Sequence, residues 1–78
     1  MKVLTQNGYP ILASEESGKL VGKMDELTEK IVNDPNNNVI YTVSSTMNGF
    51  PSKLVSYEHK KFKYTKEYRF AIVDIEVI

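Results

Sequence analysis

The stretch YEHKKFKYTKEYRF, residues 57–70, interleaves rings with cations. Tyr57, Phe62, Tyr64, Tyr68 and Phe70 alternate with Lys60, Lys61, Lys63, Lys66 and Arg69. Rings that stack on bases, beside ammonium groups that meet phosphates, are the ingredients of single-strand nucleic-acid binding. A nucleotide or another small anionic ligand would need fewer cations and could use the same groups. A plainer account competes with both. On an alternating strand Phe62 and Tyr64 share one face while Lys61 and Lys63 share the other, as on any half-buried strand. The aromatic signature of an RNA-recognition sheet is absent from the sequence. His59, the single histidine, stands beside Lys60 and Lys61 and could act as an acid with electrostatic support. Such chemistry needs a second proton-transfer group, and Glu58 would point to the opposite face of a strand.

The remaining candidates for chemistry are weaker. TQNGYP at 5–10 returns as TMNGFP at 46–51, but the similarity stops at once on both sides, so no duplicated half is present. Asn-Gly makes the turn and proline stiffens the exit, which accounts for the recurrence without a shared function. In the second copy Met47 and Phe50 flank Asn48 within the loop itself, and apolar side chains there need a core or a partner. GKLVGK at 18–23 fails as a phosphate loop, because three residues rather than four separate its glycines and Met24 follows the lysine. Asp34, Asn36 and Asn38 alternate as at the start of a calcium loop, but Val39 replaces the required glycine and Ser45 the closing glutamate. Asp74 and Glu76 share a strand face that could hold a hard cation, although two solvated carboxylates are the routine outcome. With no cysteine, thiolate metal sites and disulfides are excluded. No catalytic constellation, metal centre or cofactor site is expected.

The elements that must position these groups can be read in order. Lys2–Thr5 predicts a strand that turns at Asn7-Gly8 into a short return strand, residues 11–14, placed at an edge by Pro10. Leu20, Met24, Leu27 and Ile31 follow at helical spacing. Gly18 and Gly22 each weaken a helix by about 1 kcal/mol, so the helix is secure only from Met24 to Val32, and residues 15–23 suit either a helix start near Ser14 or a turn feeding a strand. NDPNNN (33–38) ends it. Residues 39–44 and 53–57 predict strands reversing at Asn48-Gly49, the second continuing toward Phe62. Residues 68–78 read as the clearest strand, with Ala71, Val73, Ile75 and Val77 on its apolar face. The expected fold class is α+β, one helix packed on a mostly antiparallel sheet of four to five strands, over a single domain 1–78. A crossover through the helix would make the third strand parallel to the return strand and put the two Asn-Gly turns at opposite ends of the sheet.

Seventy-eight residues with 41% hydrophobic content give one small core, and a domain this size without staples often gains stability by oligomerising. The formal net charge is zero, which argues against wholesale nucleic-acid binding. Within that balance, residues 57–70 carry five basic and two acidic groups, a local +3. No apolar run is long enough for a membrane span or a leader, so a cytoplasmic protein is expected.

The opening MKVLTQNG, with the size and the Lys-, Asn-, Glu- and Tyr-rich composition, resembles small phage-encoded proteins of Gram-positive bacteria. The resemblance implies action by binding, whether blocking a host protein or sequestering a small ligand, and carries over no functional residue. The sequence thus favours a non-enzymatic binding protein with a protein partner. Its expected contact residues are Met47, Asn48 and Phe50 in the second turn and Tyr57, His59, Lys60, Lys61, Lys63 and Arg69 in the basic segment. Nucleic-acid or nucleotide binding through residues 57–70 is the alternative. The last strand, read as a free edge, could pair with its counterpart in a homo-oligomer, or Asp74 and Glu76 could keep it solitary.

Overall fold

The computed structural model describes residues 1–76. Its elements are β1 (Lys2–Gln6), β2 (Tyr9–Ser14), α1 (Ser17–Val32), β3 (Asn37–Met47), β4 (Phe50–His59) and β5 (Thr65–Asp74). The five strands form one sheet in the order β2-β1-β5-β4-β3, and every neighbouring pair is antiparallel. One helix packs on this sheet, which is the expected α+β architecture. β2 and β3 therefore run in the same direction at opposite edges, with α1 crossing between them.

Both hairpins turn as the sequence dictates. Asn7 and Gly8 have φ of 52° and 87°, and Asn48 and Gly49 have φ of 53° and 82°. Positive φ at both central residues is the turn whose twist matches a right-handed hairpin. The two turns point to opposite ends of the sheet, the first level with Arg69 midway along β5, and no described cavity is lined by both. They also differ in task. The Arg69 N–H donates to Asn7 Oδ1 at 2.8 Å, Asn7 N donates to the Arg69 carbonyl at 2.9 Å, and Asn7 Nδ2 donates to the Glu67 carbonyl at 3.3 Å. Asn7 thus fastens the first turn to β5.

The helix is longer than its secure segment and begins at Ser17, with Gly18 and Gly22 inside it. A Cβ at either glycine would meet no atom within 4 Å, so packing does not require them there. Ser14 is not its cap: Glu16 is, and Ser14 Oγ accepts the Glu16 N–H two residues earlier. Leu20, Met24 and Thr28 are buried, flanked by Val21, Leu27 and Ile31. The Thr28 hydroxyl donates to the Met24 carbonyl at 2.8 Å, so its burial leaves no unpaired donor. Below the helix lie Leu4, Phe70 and Ile72, which complete the core.

Four expectations about the second half are corrected. β5 is central, between β1 and β4, so it offers no free edge to a second copy. Its core face carries Phe70 and Ile72, not the odd-numbered residues; Ala71 and Val73 face away from the helix, Ile75 follows the strand, and Val77 lies outside the described residues. β5 is apolar on both faces because it is the middle strand, and alternation alone cannot say which face receives the helix. β4 stops at His59 rather than continuing toward Phe62, and Lys63, with φ of 60°, closes a turn. The alternation of Phe62 and Tyr64 against Lys61 and Lys63 therefore does not apply. Among the described residues no helix is long and apolar enough to cross a membrane.

Candidate binding surface

The turn from β4 to β5 is ordered by its own backbone and by His59. His59 N donates to the Tyr64 carbonyl and Lys63 N to the His59 carbonyl, each at 2.8 Å. His59 Nδ1 accepts the N–H groups of Lys61 and Phe62 at 3.3 and 3.2 Å. Lys60 N donates to the Asn36 carbonyl at 2.8 Å, which fastens the turn to the loop before β3. The imidazole thus acts as a local cap, a task that ties up one of its two nitrogens.

This geometry stacks rings. The His59 ring lies 4.9 Å from Phe62 and 5.0 Å from Tyr64, at interplanar angles of 26° and 15°. A second line runs Tyr57–Tyr68–Phe70 with centroids 6.0 and 6.4 Å apart. Lys66 links the two lines, its ammonium 5.7 Å from the Tyr64 ring and 5.9 Å from that of Tyr68. Lys61 stands 5.5 Å from the Phe62 ring. Such cation–ring contacts contribute roughly 0.5–1 kcal/mol where exposed. Phe62 is 67% exposed, whereas Tyr57 is buried. Burial pushes the Tyr57 hydroxyl up to about 12, aided by the neighbouring Tyr68.

The second aromatic line floors a cavity of about 310 Å³ between the C-terminal half of α1 and the sheet. Lys30 and Asp34 of the helix end and Gln6 and Asn37 of the sheet complete its wall. It stands at the lower limit of small-molecule sites.

The expected contact residues do not form one site. Tyr57, His59, Lys60, Lys61 and Lys63 gather at one end of β4. Met47, Asn48 and Phe50 lie at the other, about 30 Å away along a ten-residue strand. Asn48 is spent on the turn, and Phe50 is half-buried against the core rather than presented to solvent. Arg69 belongs with Met47, since both line a groove of about 220 Å³ on the sheet face away from the helix, with Val43, Ser45, Ser52 and Leu54. Sequence reasoning noticed Phe62, Tyr64 and Lys66 but left them out of the contact set, because a lysine at positive φ gives no turn signal. Lys30 and Gln6 were missed altogether, and Asp34 was weighed only as the start of a calcium loop; only the folded chain brings the helix end to the sheet.

The two carboxylate candidates also resolve. Asp74 sits 3.4 Å from the Met1 ammonium, and Asp34 Oδ1 accepts the Asn36 N–H at 2.9 Å as in an ordinary loop. No group of three ligating side chains occurs among the described residues. Comparison with known protein families, curated proteins and solved structures finds no match for this chain.

Proposed function

We propose that the chain is a non-enzymatic binding protein that acts by occupying a protein partner through the β4–β5 turn. The observation that carries this reading is Phe62, two-thirds exposed on a turn that five hydrogen bonds already hold. A preordered turn loses little freedom on docking, and burying such a ring contributes about 1.5–3 kcal/mol. Lys60, Lys61 and Lys63 around it favour an acidic partner surface and faster encounter. A role in blocking a host protein, as the resemblance implies, fits that chemistry.

The stacked rings with Lys61 and Lys66 over them favour a second reading, binding of a nucleotide or a single strand. Two measurements separate the readings. A captured protein partner should bind the Phe62→Ala variant about tenfold or more weakly and the Met47→Ala variant unchanged. Equal capture by the Phe62 variant overturns the first reading. Tight binding of a fluorescent single-stranded oligonucleotide that falls about tenfold or more between 50 and 200 mM salt supports the second.

A further inference from the structure

We propose that β3 is an interface strand, and that its occupant is β3 of a second copy, giving one ten-stranded sheet across a two-fold axis. This goes beyond the partner reading and uses a different surface. The two edges of the sheet are treated unequally. β2 is short, carries Pro10 and is bulged at Ile11, where the register passes from Leu12 to Pro10. These are the devices by which a sheet edge is kept from pairing. β3 has eleven residues, NNVIYTVSSTM, with no charge and no proline. Its outer rim is open, and Ile40, Tyr41, Val43 and Met47 are all exposed.

The segment after its own bulge at Ile40 is self-complementary. Tyr41, Val43, Ser45 and Met47 lie on the helix-free face, while Thr42, Ser44 and Thr46 lie on the other. An antiparallel pairing centred on Ser44 sets Tyr41 against the partner's Met47 and Thr42 against the partner's Thr46. Aromatic–apolar and Thr–Thr pairs are among the favourable cross-strand neighbours. Seven residues from each chain would pair, alternate ones exchanging backbone hydrogen bonds, without opposing two charges. The axis stands perpendicular to the sheet, so both helices share one face, and the grooves lined by Val43 and Met47 flank the seam on the other. The long β3–β4 hairpin also stretches the molecule along the strands. The chain measures 46 × 19 × 17 Å, with a radius of gyration of 13.4 Å, against roughly 11–12 Å for a compact chain of this length. The uncharged, self-complementary strand at this edge fits a copy of itself.

The experiment is sedimentation equilibrium of the full chain from about 1 µM to about 1 mM, with variants Ser44→Lys and Ser44→Glu. Ser44 is exposed, so both variants keep the monomer fold, which far-ultraviolet circular dichroism verifies. The wild type is expected to reach twice the 8.9 kDa chain mass. Each variant alone sets like charges opposite across the axis and should dimerise roughly fivefold or more weakly. Mixing the two variants should restore the dimer. A wild type that stays monomeric throughout, or a dimer that persists unchanged in both single variants, overturns the proposal.

Discussion

Two asparagines in the same motif end up with different tasks. Asn7 and Asn48 both supply positive φ, but Asn7 alone satisfies the Arg69 N–H and reaches the Glu67 carbonyl. Replacing either by alanine costs the turn its preferred residue, and Asn7→Ala additionally leaves the Arg69 donor to water. Urea denaturation should find Asn7→Ala about 1 kcal/mol less stable than Asn48→Ala. Tyr57 makes a second prediction at this scale. Its hydroxyl is pushed up from 10 to about 12 by burial, so in alkali the unfolded chain loses this proton before the folded one. The stabilisation is complete below pH 10 and is lost as pH rises toward 12. Denaturation midpoints should fall over that window, and the Tyr57→Phe variant should show a flatter fall. An equally steep fall in the variant would assign the loss to other groups.

At the scale of elements, α1 tolerates two glycines beside which an added Cβ would meet nothing. Gly22 sits in the helix with open space where a Cβ would stand. Gly22→Ala should therefore stabilise the fold by about 0.5–1 kcal/mol, read as a higher urea midpoint with an unchanged slope. The opposite face is the one that matters. Leu20 is fully buried against Leu4, Phe70 and Ile72, and Leu20→Ala should cost about 2–5 kcal/mol, enough to unfold much of a small domain. The helix boundary shows why sequence reading stopped early. Propensity counted Gly18 and Gly22 as breaks, whereas burial of Leu20 four residues before Met24 extends the stripe and outweighs them. The β4–β5 turn failed for another reason: Lys63 adopts a left-handed conformation without being Gly, Asn or Asp, so residues 60–64 carried no mark of a turn.

For the whole molecule, the core is a thin layer between one helix and one sheet face. β5 pairs on both sides and carries Phe70 and Ile72, while β2 pairs only with β1 and is largely exposed. Hydrogen exchange should accordingly be slowest in β5 and in the paired stretches of β1 and β4, and faster in β2. β3 is the informative strand. Its outward amides should exchange as fast as those of β2 in dilute solution and slow down with concentration as copies pair. Rates independent of concentration would leave the edge unpaired.

Much of the fold was written locally. Asn-Gly pairs fix the two hairpins because few residues accept positive φ. The spacing of Leu20, Met24, Leu27 and Ile31 fixes a helix face, and Pro10 fixes an edge, since each signal acts over a few residues of backbone. Strand order was not local. Bringing the last strand between the first and the fourth depends on pairings between residues more than fifty positions apart, such as Leu4 with Ile72, and no neighbouring residue encodes them. That placement decided the rest. It made β5 apolar on both faces, put the helix on the even-numbered one, left β3 as the unprotected edge and separated the expected contact residues by the length of β4. Backbone conformation and periodicity belong to the sequence; which surfaces stay exposed is settled only when distant strands choose their neighbours.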